Sequence, residues 1–142
     1  MRVGLYQSHP IFGEVDANVE RAMEDLWEIK ADLLVLPELF ATGYQFISKE
    51  EVRKLAEEIP NGKTCQAMLE LAKRKNVHVV FGLAEREKEN LYNAAAVVGP
   101  AGLVGRYRKT HLFFDEKTFF DPGDTGFQVF DLGFATVGVM IC

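Results

Sequence analysis

The spacing of apolar positions along the chain switches between helix-like and strand-like periods, and each switch predicts an element. Arg2-Val3-Gly4-Leu5-Tyr6-Gln7 reads as a first strand. Val19, Ala22, Met23, Leu26 and Ile29 recur at three- and four-residue spacing, which predicts an amphipathic helix over residues 16–30 with Asp16 as its N-cap. Asp32-Leu33-Leu34-Val35-Leu36 is a short, continuous apolar run, the pattern of a strand covered on both faces. Pro37 ends that strand because it donates no ladder hydrogen bond. Ser48 followed by Glu51 makes a capping box for a short helix to Glu58. After the break at Pro60-Asn61-Gly62, Thr64 opens a helix with Cys65, Met68, Leu69 and Ala72 on one face, ending near Asn76.

Val77 to Leu83 is again an apolar strand. Leu91 to Val98 and Leu103 to Arg108 flank the turn residues Gly99-Pro100-Ala101-Gly102 and predict a hairpin. Residues 111–126 form a long aromatic and acidic loop with room for one helical turn. Gln128 to Leu132 and Thr136 to Cys142 are expected as two further strands joined through Gly133, the last of them buried. This order predicts a mixed sheet with helices packed on it, the α/β (α+β-like) class.

Composition narrows the partners. The 142 residues make one domain or a piece of one, and the aromatic content is ample for a core. A net charge of −5 argues against a nucleic-acid or anionic-membrane surface. With neither an apolar targeting segment nor a spanning run, a cytoplasmic, reducing setting is expected, so Cys65 and Cys142 read as thiols. Cys65 belongs to an apolar helix face and reads as structural. His9, His78 and His111 lack metal-ligand spacing, and His111 is placed to hydrogen-bond within its loop. Tyr44, Phe113, Phe114, Phe119 and Phe120 suit a pocket lining and aromatic packing equally.

Three residues stand at predicted strand ends. Glu38 follows a buried strand and a proline in apolar company, which suits a carboxyl to accept and return a proton. Lys109 leaves the hairpin, and Cys142 ends the final apolar run. Singly, each has a plain reading: a loop carboxylate, a solvated lysine, an inert buried thiol. Together they supply what acyl transfer by a thiol needs: a base, a cation for the oxyanion and a nucleophile.

Leu36-Pro37-Glu38-Leu39-Phe40, Tyr107-Arg108-Lys109-Thr110-His111-Leu112-Phe113 and Gly138-Val139-Met140-Ile141-Cys142 resemble, in order, the three signature segments of the nitrilase superfamily, the carbon–nitrogen hydrolases. The hairpin and Asp121-Pro122-Gly123-Asp124 are similar to its connecting segments. The resemblance implies an α-β-β-α sandwich, present only in part, with residues 1–142 as the N-terminal portion of the domain. It implies Glu38 as general base and acid, Lys109 as oxyanion holder, Cys142 as nucleophile and Glu116, with Asp115 as its neighbour, as a further ordering carboxylate. It implies a small amide or nitrile substrate, no cofactor or metal, and assembly as a homodimer or higher homo-oligomer. Two other readings are a catalytically silent sandwich domain serving assembly and a thiol acyltransferase. The sequence is expected to be incomplete, with its substrate-selecting loops beyond Cys142 and the fragment alone inactive.

Overall fold

Continuous apolar runs become the centre of a five-stranded sheet in the computed structural model, which describes residues 1–142. In chain order the elements are β1 (Val3–Leu5), α1 (Val15–Trp27), β2 (Leu33–Val35), α2 (Lys49–Leu55), α3 (Lys63–Lys75), β3 (His78–Glu87), β4 (Asn90–Gly99), β5 (Gly102–Arg108), α4 (Glu116–Phe119), β6 (Val129–Asp131) and β7 (Thr136–Gly138). The sheet runs β1-β2-β3-β4-β5; β1, β2 and β3 are parallel, whereas β4 and β5 return antiparallel. Helices connect the parallel strands because such crossovers need a dozen or more residues.

Alternation along each strand divides the core. Leu34, Val79 and Phe81 pack with Val19, Ala22 and Leu26 of α1 and Met68, Leu71 and Ala72 of α3. Leu33, Val80 and Val97 meet Phe130 and Leu132, flanked by Val35, Val137 and Val139, on another cluster. The two-stranded β6–β7 unit thus begins a second β layer. A Cβ at Gly105 would lie 2.3 Å from Phe130 Cε1, so glycine in β5 lets that ring seat. This is the expected mixed α/β class, with helix, sheet and second β layer of an α-β-β-α sandwich.

Several boundaries differ from the sequence expectation. Helix α1 begins one residue early, with Glu14 at the N-cap and Asp16 in its first turn. The buried Asn18 side chain determines this entry: its amide donates to the Ile11 and Ala41 carbonyls and its oxygen accepts the Ile11 N–H. Helix α3 starts at Lys63, and Thr64 instead bonds the Glu57 carboxylate through N–H (2.8 Å) and hydroxyl (2.6 Å). A distant carboxylate therefore serves the helix N-terminus, where the dipole favours negative charge. Helix α2 ends at Leu55 because the Glu57 backbone bridges to β3, its N–H donating to Ala84 and its carbonyl accepting from Arg86. Strand β3 continues past Leu83 to Glu87, pairing nine positions with β4.

The last expected strand is the largest correction. Only Thr136–Gly138 pair, with β6, and Cys142 is exposed rather than buried. Residues 139–142 make no strand pairing in the structure.

The Ser48 cap forms as expected: Ser48 Oγ accepts from Glu51 N–H (3.1 Å) and Glu51 Oε2 accepts from Ile47 N–H (2.9 Å). Ser48→Ala should lower stability by about 1 kcal/mol in chemical denaturation. An unchanged midpoint would mean that the cap is replaced by water without loss.

Candidate active site

Strand ends and one close backbone passage assemble the site. After Pro37 the chain crosses β3 so tightly that a Cβ on Gly82 would lie 2.5 Å from Glu38 Cα. Gly82 N–H donates to Pro37 O (3.2 Å) and Phe40 N–H to Gly82 O (3.3 Å), which fixes the Glu38 backbone over the sheet. Lys109 follows β5; its N–H donates to Asn93 O (2.8 Å) and its carbonyl accepts from Gly123 N–H (3.0 Å). Gly123 lies against the Arg108 carbonyl, where a Cβ would come within 2.1 Å. The Asp121-Pro122-Gly123-Asp124 turn thereby braces the lysine from outside the strand.

These constraints bring three of the four expected residues into contact. Lys109, 3% exposed, places Nζ 2.8 Å from Glu38 Oε1 and 2.8 Å from Glu116 Oε1. Burial alone would lower the Lys109 pKa, but the hydrogen bonds it donates to Glu116 and Glu38 outweigh it and raise the pKa above its ordinary value. The lysine is therefore an ammonium at neutral pH. Glu116 sits at the start of α4, and its other oxygen accepts the Phe113 N–H (2.7 Å), tying the loop to the cluster. Asp115 lies at the N-cap position of that turn, without a side-chain cap bond.

Cys142 stands differently. It is exposed and makes no hydrogen bond to the Glu38–Lys109–Glu116 cluster, yet it shares a cavity of about 480 Å³ with Glu38. Gly82 and Ala95 line the same cavity, with Val137 and Ile141 on the facing segment. Cys65, by contrast, is fully buried; burial, with Glu57 and Glu85 nearby, pushes its thiol pKa up to about 12. A neutral-pH alkylating agent therefore reports Cys142 alone.

Asn93 is the site neighbour that sequence reasoning missed. Fully buried in β4, its Nδ2 donates to Glu38 Oε1 (2.5 Å) and Glu116 Oε1 (3.2 Å). The available signal was one amide side chain inside the apolar run Leu91–Val98. A second missed group backs the lysine: Arg108 donates Nε to Glu85 Oε2 and Nη2 to Glu85 Oε1, each at 2.7 Å. Its guanidinium lies 3.9 Å over the Tyr92 ring. His111 stacks on Phe127 at 6.3 Å instead of hydrogen-bonding within its loop.

Tyr44 also borders the cluster. Burial, and then the Glu38 charge, raise its phenol pKa; Lys109 opposes them and Glu116 adds to them. With Leu39, Phe46, Phe113 and Phe120 it forms an aromatic recess of about 270 Å³ beside Glu116.

Comparison with known proteins agrees with this architecture. The carbon-nitrogen hydrolase family model matches residues 2–142, and the chain belongs to that family. It is 49% identical over 145 residues to a nitrilase of Pyrococcus abyssi, covering 100% of this chain and 55% of the relative. It is 33% identical over 144 residues to an (R)-stereoselective amidase of a Pseudomonas species, covering 100% of this chain and 51% of the relative. The solved structure of an N-terminal amidase superposes with a TM-score of 0.84 at 27% identity, covering 91% of this chain and 32% of that one. The chain spans about half the length of these two curated relatives. No helix is long and apolar enough to cross a membrane.

Proposed function

We propose that residues 1–142 are the N-terminal portion of a carbon–nitrogen hydrolase domain, and that the complete protein hydrolyses small amides or nitriles through Glu38, Lys109 and Cys142. The observation that carries this reading is the buried ammonium of Lys109, held 2.8 Å from Glu38 beside a cavity shared with Cys142. Amide-hydrolysing relatives support the reaction class.

For an amide, Glu38 takes the Cys142 proton and the thiolate sulfur bonds to the carbonyl carbon. The C=O π electrons move to oxygen, and the Lys109 ammonium meets the resulting charge. Glu38 gives its proton to the nitrogen as the C–N bond breaks, which releases ammonia or an amine and leaves a thioester. Glu38 then takes a proton from water, the hydroxide adds to the thioester carbon, and the C–S bond breaks as Glu38 returns that proton to sulfur, giving the acid and regenerating both the thiol and the carboxylate. Glu116 keeps Lys109 charged and aimed throughout.

Ammonia release from short amides, carbamoyl compounds and nitriles tests the reading in the full-length protein. Cys142→Ala should reduce turnover by about a thousandfold or more, the scale of losing a covalent nucleophile. Ammonia release by that variant at the wild-type rate would overturn the mechanism; none from the wild type in any class would overturn the activity. A natural product with an intact mass near 16.0 kDa would contradict the assignment as a portion of a longer domain.

A further inference from the structure

Asn93 joins the two carboxylates of the site through a single nitrogen. Its Nδ2 reaches Oε1 of Glu38 at 2.5 Å and Oε1 of Glu116 at 3.2 Å, the same two atoms that accept from Lys109. Its own Oδ1 is buried without a hydrogen-bond partner. Turning the amide over would aim that oxygen at two carboxylates, so the donating orientation is the one the electrostatics require. A buried acceptor left unpaired is costly, and its persistence points to a demand on the other end of the amide. The backbone adds a second tie, since Asn93 O accepts the Lys109 N–H at 2.8 Å.

The consequence falls on the two oxygens of Glu38. Oε1 is loaded by Lys109 and Asn93, whereas Oε2 accepts no hydrogen bond and the carboxylate borders the cavity shared with Cys142. On Glu116, Oε1 is loaded in the same way and Oε2 is taken by Phe113 N–H. One carboxylate is thus left a free oxygen and the other is not. We propose that Asn93 is a positioning residue that fixes the rotation of the Glu38 carboxylate, so that Oε2 alone exchanges the proton in the reaction proposed above. Lys109 cannot do this alone, because an ammonium is a point charge that donates equally well to either oxygen. The planar amide, held in β4 by its ladder bonds, sets the direction.

The groups facing Glu38 are Lys109 after β5, Glu116 of α4, Tyr44 of the loop between Glu38 and α2, and Cys142 across the cavity. Removing the Asn93 donor weakens support for the charged carboxylate while these stay in place. In the full-length protein, Asn93→Ala should therefore displace the ¹³C resonance of the Glu38 carboxyl at neutral pH, the signal being identified by its disappearance in Glu38→Gln. It should also lower kcat by about tenfold to a hundredfold with KM little changed. Asn93→Ser, which restores a small donor, should fall between Asn93→Ala and wild type in both readouts. The carboxyl resonance is read without turnover, so an inactive wild type would sink the proposed activity and leave the Asn93 result readable. A Glu38 carboxyl resonance unmoved in both folded variants would overturn the positioning role. Failure of both variants to fold would do the same, assigning Asn93 to the core.

Discussion

Lys109→Met in the full-length protein is expected to lower kcat by about a thousandfold or more and to lower stability at neutral pH. The wild-type ammonium stands 2.8 Å from one oxygen of each of two carboxylates. Without it, Glu38 and Glu116 remain together on the Asn93 donor and repel one another. These uncompensated like charges should lower the melting temperature of the variant relative to wild type at neutral pH.

The wild-type lysine contributes within a defined pH window. Its folded pKa is raised, so its stabilising contribution is complete below the ordinary value of 10.5 and is lost only above it. Thermal melts of both proteins across this range, together with ammonia release, check both effects. A variant with wild-type turnover, or with a melting temperature that tracks wild type at every pH, would contradict the role of the cation.

Arg108→Met should cost about 3 kcal/mol of stability, because it strands a fully buried carboxylate. Glu85 has no solvent exposure and takes two hydrogen bonds from Arg108. Arg106 Nη1 still reaches Glu85 Oε1 at 2.6 Å, which places the loss at the lower end for breaking a buried pair. Asp124 is affected as well: the Arg108 hydrogen bond holds its carboxyl below the usual range. Urea unfolding should show the lower midpoint with an unchanged slope. Adding Glu85→Gln to Arg108→Met should recover part of the loss, since the stranded charge is gone. A loss within the range of an exposed pair, about 0–1 kcal/mol, would mean that water reaches Glu85.

Much of the scaffold follows from local pattern. The Leu33–Leu36 run, the three- and four-residue spacing of α1, the Ser48–Glu51 box and the Gly99–Gly102 turn each carry their structure within a few residues. The misplaced boundaries have long-range causes. Helix α1 starts where Asn18 ties Ile11 to Ala41, α2 ends where Glu57 joins β3, and Thr64 is bonded to Glu57 rather than opening its helix. Residues 139–142 are strand-like in composition, but a ladder needs a neighbour, which residue type does not specify.

By itself, the sequence placed Glu38 and Lys109 after strands, because a proline after an apolar run and a lysine after a hairpin are local events. Only the tertiary structure decided which atoms meet. Ala84 stands opposite Asn93 and Ala94 opposite Arg108, so the β3–β4–β5 register brings Asn93 and Lys109 together beneath Glu38. A slip of one residue would turn Asn93 to the other face and break the cluster. That register is selected by burial on both faces of the sheet, a property of the packed chain that no single segment contains.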